Sequence, residues 1–582
     1  MKRLKLFIYI LPPLLLISAL IICWLFLSAR QIKEFIFIEE HELDELVFYF
    51  RSALEDSPQD FFPNVLPRSD LFLVTRYVSH HQPKRYWLKN PRPDDRFSDF
   101  ISRIKIDLAT LESSSIVLPT IHFKLELKTS AYIPYNLLMP ELFLHHINFG
   151  DEGLRINNGP DEEFIFPTQA LESGIEPKHV HSQLIKPVFQ PDTELYRFKT
   201  RAVLLNVQQV DHQPVRRNQP PRRSVTRAVI FDSLRAGADF LLKHQASSGK
   251  YGYLYDPIND RYLASYNILR HGGTTFSLLQ IYGLTKDERY LAGAEKAISW
   301  LVQHHVENQQ DFSFVIDHNL VKLGGAALAL LALSERERIL GDGRDLELMR
   351  RFGKFLLHCM HENGEFRSYY QWSPAFPAPK RSSIYYPGEA TFALVRLYRI
   401  NGESEWLKAA MRAADFLIQR GKIAGIDVFV FPDAWLMYAL AEIYEETGEI
   451  RFLTYCLKIA DTLLAAQYHE NENDPLFLGA TVDTLCPRST PAGARAEGLG
   501  ALCRALKLTN QSQLVTKYKE ALLKSASFQL SQQVHAGNCF YMRHPERAMG
   551  GFFGSIVDPT MRIDYTQHNL SSLLYTLDWL PR

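Results

Sequence analysis

The sequence has no CxxC pair and no cysteine–histidine grouping at metal-ligand spacing, which excludes a zinc module and a thioredoxin-type redox motif. It has no surplus of charge. Its 65 basic residues are matched by 65 acidic ones, a formal net charge of zero. A balanced chain lacks the basic stripe that holds nucleic acid. After residue 29 it has no apolar run long enough to cross a bilayer as a helix. Nothing in the pattern calls for a cofactor. The cysteines read singly: Cys23 lies in an apolar N-terminal run, and Cys359, Cys456 and Cys503 sit on helical patterns as core. Cys486 and Cys539 fall in loops, where an oxidising compartment would let them pair.

What is present begins with residues 6–29, "LFIYILPPLLLISALIICWLFLSA", which carry no charge and follow Lys2, Arg3 and Lys5. That pattern predicts a single-pass anchor over residues 1–34 with its N-terminus in the cytoplasm. Everything after it would then lie outside the cytoplasm, periplasmic if the membrane is a bacterial-type inner membrane. A cleaved signal peptide is the rival reading, but the apolar stretch is long and no small-x-small site precedes Arg30. The 582 residues exceed what one hydrophobic core holds, so at least two domains follow.

Residues 35–211 alternate short β-rich runs, such as "SSIVLPTIHFKLELKTS", "EEFIFPTQ" and "YRFKTRAVLLNVQQV", with Pro- and Asp-containing breaks. They read as an α+β domain. The stretch "IPYNLLMPELFLHHINFGDEGLRINNGPDEEFIFPTQALESG" resembles part of the AMMECR1-like domain, a resemblance that implies no catalytic residues. Residues 212–225, opening "HQPVRRNQPPRRS", have no hydrophobic run and read as an extended linker.

From residue 226 to 582 two classes of helix alternate. Amphipathic, charged patterns such as "KDERYLAGAEKAISWLVQHH" and "GESEWLKAAMRAADFLIQRG" are outer helices. Between them lie patterns apolar nearly all round, such as "LGGAALALLALSE", "PGEATFALVRLYRI" and "AEGLGALCRALKL", which have to be buried. Connections from inner to outer helices are short and polar, while the reverse connections are long and aromatic. Six such hairpins predict a mainly α chain whose C-terminal part closes as an (α/α)6 toroid with parallel inner helices. A TPR-like solenoid fits less well, because the spacing is irregular and the long loops share one side. Residues 226–582 resemble the six-hairpin glycosidase superfamily, whose members include glycoside hydrolases, polysaccharide lyases, sugar epimerases and the C-terminal domain of glucuronyl C5-epimerases. Lanthionine-synthetase-like and prenyl-cyclase-like toroids lack support, since there is neither a Cys–His zinc cluster nor a DxDD run.

Parallel inner helices would gather their N-termini at one mouth. The acids there are Glu389, Asp433, Glu497 and Asp564, joined by His271 and His568. Paired carboxylates suit glycosidic cleavage, and crowding keeps a proton on one of them near neutral pH; Glu389 and Asp433, on adjacent hairpins, are the natural pair. Arg270, Lys322, Arg495 and Arg562 add positive charge to six helix N-termini and favour an acidic glycan. Tyr255, Trp372, Tyr386 and Trp435 offer rings for sugar stacking. The expected function is action on an acidic oligo- or polysaccharide by hydrolysis, elimination or C5-epimerisation. The alternative is a non-catalytic glycan-binding partner within an envelope polysaccharide assembly or export complex.

Overall fold

The computed structural model describes residues 40–581, apart from 55–62, 64, 79–80, 92–94, 113–120, 135–149, 160, 176–178, 180, 186–192, 207–210, 421, 424–425, 428–429, 470–473 and 483–485. The apolar segment 6–29 lies outside the described residues. Among the described residues no helix is long and apolar enough to cross a membrane. The chain divides into two compact units, Met1–Pro221 and Arg222–Arg582.

The first unit is built on an antiparallel sheet. Its main strands are β1 (Leu71–Val78), β2 (Lys84–Lys89), β3 (Ile121–Lys128), β4 (Glu152–Asn158), β5 (Asp161–Ile165), β6 (Glu194–Asn206) and β7 (Asp211–Val215). They run in the order β2-β1-β3-β6-β4-β5, with β7 paired to β6. Alternation along β3 explains both faces. Phe123, Leu125 and Leu127 pack under the helices Glu40–Leu54 and Asp95–Glu112, whereas Lys124 and Glu126 point to the opposite face and are buried there too.

Glu172 binds that second face together. Its carboxylate accepts hydrogen bonds from Tyr77 Oη at 2.5 Å, Arg85 Nη2 at 2.5 Å, Lys124 Nζ at 2.9 Å and Asn218 Nδ2 at 3.0 Å. Burial alone would raise its pKa; Lys124 and Arg85 hold it well below the usual carboxylate range.

Residues 212–219 therefore correct the linker reading. They supply β7 and a tight two-residue turn whose Arg217 and Asn218 both adopt positive φ, as that turn demands. Polar, Pro-containing composition marks a solvated segment only where no strand edge is free to pair with it; β6 offers one. Beyond the turn, Arg222 donates to Ser527 Oγ at 3.3 Å and Arg223 to Leu530 O at 2.8 Å, so these two arginines serve the helical unit.

The second unit is the expected toroid. The inner helices are Ile268–Thr285, Leu323–Leu340, Tyr386–Asn401, Ala434–Thr447, Ser489–Leu506 and Ile563–Leu577, referred to below as first to sixth. Each packs on the next, and the sixth packs back on the first, so the ring closes. Outer helices Arg227–Lys243, Glu288–His305, Leu346–His358, Ser404–Arg420, Ile450–Ala465 and Ser512–Gln532 surround them. The first four inner helices end on a left-handed residue, Lys286, Gly341, Gly402 or Gly448, whose N–H caps the last turn. This lets a short link reverse the chain. The long links gather at the other end, where strand Leu254–Asp256 of the first pairs with Asp558–Arg562 of the last. Cys359, Cys456 and Cys503 are core residues, as expected. Cys539 is a free thiol, so no bridge joins it to Cys486.

Candidate active site

A cavity of about 450 Å³ opens at the N-terminal ends of the inner helices. Among the residues lining it are Arg270, Tyr386, Glu389, Trp435, Arg495, Arg562, Asp564 and His568, eight of those singled out from sequence. Asp433, Glu497, His271, Lys322, Tyr255 and Trp372 are not lining residues.

Glu389 sits in the first turn of the third inner helix, 6 % exposed, and its Oε2 has no hydrogen-bond partner. Burial and the nearby Asp433 push its pKa up to about 8, against a weaker opposing pull from Arg270. The carboxyl is thus protonated at neutral pH. It fits only because its neighbour is a glycine: a Cβ on Gly324 would lie 2.1 Å from Oε2. Asp433 stands behind this wall as the N-cap of the fourth inner helix, accepting from Trp435 N at 3.0 Å. Burial lifts its pKa to about 7. Gly388 makes room for it in turn, since a Cβ there would come within 2.4 Å of Asp433 Oδ2. The expected carboxylate pair exists, then, with one member facing the cavity and the other supporting it.

On the sixth inner helix, His568 lines the cavity and its Nδ1 lies 2.8 Å from Glu497 Oε2. Burial would lower the imidazole pKa, but the Glu497 carboxylate overrides this and raises it. Glu497 is buried behind His568, which leaves Nε2 as the ring nitrogen that Glu497 does not engage. The third and sixth helices lie opposite each other in the ring, and the edge of Trp435 closes the gap to His568 with ring centroids 5.8 Å apart. Asp564 is held by two guanidiniums, Arg270 Nε at 2.8 Å and Arg562 Nη2 at 2.9 Å.

The remaining residues serve elsewhere. His271 is turned away from the cavity: its Nδ1 meets Tyr266 Oη at 2.7 Å and its Nε2 meets Ala297 O at 2.9 Å. Burial holds it neutral, with a pKa lowered to about 4. One helical residue rotates the side chain by about 100°, which separates Arg270 in the cavity from His271 outside it. Lys322 Nζ is spent on Asp317 Oδ2 at 2.7 Å. Tyr255 is buried and donates to Asp260 at 2.7 Å, and Trp372 Nε1 donates to Asn319 O at 3.1 Å. The cavity also takes Arg488, Tyr385, Tyr565 and Gln567, which the sequence reading passed over. Arg488 was missed because the fifth inner helix starts at Ser489, about two turns before its apolar pattern begins at Ala496.

No family model matches the chain, and no curated protein matches it. Solved structures similar to it include the GH76A α-1,6-mannanase of Salegentibacter sp. HEL1_6, at 12 % identity and a TM-score of 0.44, over 60 % of this chain and 98 % of that one. An unsaturated glucuronyl hydrolase specific for heparin matches at 14 % identity and 0.44, over 60 % and 98 %. Cellobiose 2-epimerase from Bacillus thermoamylovorans B4167 matches at 12 % and 0.47, over 60 % and 99 %.

Proposed function

We propose that the toroid is a carbohydrate-active enzyme that works by acid–base chemistry on an acidic glycan. Glu389 is its proton donor and His568 its second proton-transfer group. The observation that carries this reading is the buried carboxyl of Glu389, unpartnered at Oε2, in the wall of a cavity of sugar-sized volume. A carboxyl kept protonated at pH 7 by burial is what a general acid needs. Opposite it, the His568–Glu497 pair supplies a group able to give or take a second proton. Trp435, Tyr385 and Tyr386 provide apolar faces for a sugar ring, and among the described lining residues four arginines stand against two carboxyl groups, Asp564 and Glu389, which favours a negatively charged substrate.

The test is incubation with oligouronides and with neutral oligosaccharides in D₂O, followed by NMR. New reducing ends without carbon-bound deuterium identify hydrolysis. Deuterium at C5 identifies epimerisation, and an unsaturated product identifies elimination. Binding of acidic glycan with no chemical change overturns the enzymatic reading in favour of a binding protein. Arg495→Ala should weaken binding of the acidic glycan more than of its neutral analogue.

The same proposal places the chain at a membrane through residues 6–29, with the rest outside the cytoplasm, on the strength of that charge-free run and the three basic residues before it. A reporter fused after Arg582 should be active outside the cytoplasm only. Activity inside it would overturn the placement.

A further inference from the structure

The long link between the third outer helix and the third inner helix runs from Cys359 to Tyr385 and reaches the cavity at its C-terminal end. Connections of this length with little regular structure are uncommon in compact domains and are usually functional. Ser383, Tyr385 and Tyr386, at its end, line the cavity. Residues 371–382 are exposed or half-buried yet held in place. Trp372 Nε1 is pinned to Asn319 O, the turn 373–376 is closed by Phe376 N donating to Ser373 O at 3.1 Å, and Ser383 N donates to Ser368 Oγ at 2.8 Å.

Two chemical features stand on this link. Trp372 and Phe376 stack, with ring centroids 5.5 Å apart and planes 15° from parallel, and Phe376 remains 36 % exposed. Lys380 and Arg381 are also exposed. Arg381 is tied to the cavity by rings: its guanidinium lies 5.9 Å from the Tyr369 ring, and Tyr369 is 6.0 Å from Tyr386 on the cavity wall. Positive charge and flat apolar surface thus stand on the same link whose end lines the cavity.

We infer that residues 372–386 form an outer subsite for an acidic glycan, with Trp372 and Phe376 taking a sugar face and Lys380 and Arg381 its acidic groups. The substrate is then a chain of several sugars whose reacting unit lies in the cavity while its neighbours cross the link. This inference rests on the reading of the cavity as a glycan site. Aromatic stacking and an exposed ion pair each contribute up to about 1 kcal/mol, so the two together amount to about a tenfold gain in affinity.

The experiment measures binding of oligouronides of two to eight residues to the whole protein, using wild type, Trp372→Ala/Phe376→Ala and Lys380→Ser/Arg381→Ser. Wild type should bind the octamer at least about tenfold more tightly than the dimer. Each double variant should lose its own share of that gain, roughly three- to fivefold, with dimer binding unchanged, and thermal melting confirms that it folds. If a double variant melts early, the single changes Phe376→Ala and Arg381→Ser, both at exposed side chains, decide. No gain with length in the wild type overturns the outer subsite, as does equal weakening of dimer and octamer. Unchanged length dependence in both double variants overturns it as well. If the wild type binds no member of the series, the cavity reading fails first and takes this inference with it.

Discussion

Glu389→Gln should lower turnover on an acidic glycan by ~10²–10⁴-fold, the range that general acid–base catalysis supplies. The amide keeps the shape of the side chain in the space left by Gly324 but has no proton to give. Stability should respond in a way that identifies the same group. A buried carboxyl whose pKa rises from 4.5 to about 8 on folding binds more protons in the native state than in the unfolded one across that interval. Wild-type stability therefore falls as pH rises from 4.5 to about 8, the reverse of an ion-paired carboxylate. Glutamine removes this contribution. Variant and wild type should differ least at about pH 4, below the unfolded pKa of 4.5, and the variant should be the more stable at about pH 8. Turnover and denaturant midpoints at the two pH values check both halves. Full activity in the variant would leave Glu389 as a helix-end carboxyl with no chemical role. Asp433→Asn should act more weakly, through the pKa of Glu389, by moving the alkaline limb of the pH profile downward.

The second large effect belongs to the far end of the ring. Glu442, on the fourth inner helix, is fully buried and meets Arg396 at 2.5 Å, Arg399 at 3.0 Å and Arg504 at 3.0 Å. Arg396 also reaches Glu335 on the second helix at 3.4 Å, so the cluster ties four consecutive inner helices together. Burial alone would raise the Glu442 pKa; the guanidiniums of Arg396, Arg504 and Arg399 bring it below its usual value. A lowered folded pKa means that the stabilisation is present above the unfolded value of 4.5 and is lost only as pH falls through the lower, folded one. Glu442→Gln keeps the volume and removes the fully buried counter-charge that three guanidiniums share, leaving them only their outer partners Glu335, Glu445 and Glu446. The expected cost is about 3–5 kcal/mol, as for other buried pairs broken from one side. Glu446→Gln, whose partner Arg399 is shared and whose carboxylate is partly exposed, should cost about 1 kcal/mol or less. Urea midpoints of the two variants at pH 7 decide. Equal, small losses would mean that packing alone closes the ring.

Several features of this molecule follow from its sequence alone. An inner helix such as "LGGAALALLALSE" has no polar face, so it can only be buried, and an outer helix such as "KDERYLAGAEKAISWLVQHH" has one face of each kind. Alternating the two, with short links on one side and long links on the other, is enough to dictate six hairpins and a common mouth. Glu389, one residue after Pro387-Gly388, was legible as an acid at that mouth.

The tertiary structure decided which residues at the mouth face inward. An amphipathic helix carries its orientation in its sequence, because the polar side marks the solvent. A helix apolar all round carries no such mark, and its rotation is set by packing against both neighbours and the outer ring. That is why Arg270 faces the cavity while His271 binds the outer helix, and why Asp433 and Glu497 stand one layer behind Glu389 and His568. The same limit applied to residues 212–219, where a polar, proline-containing segment became a strand. Its partner, β6, is distant enough in pattern, though not in sequence, that only the assembled sheet shows the free edge on which it pairs.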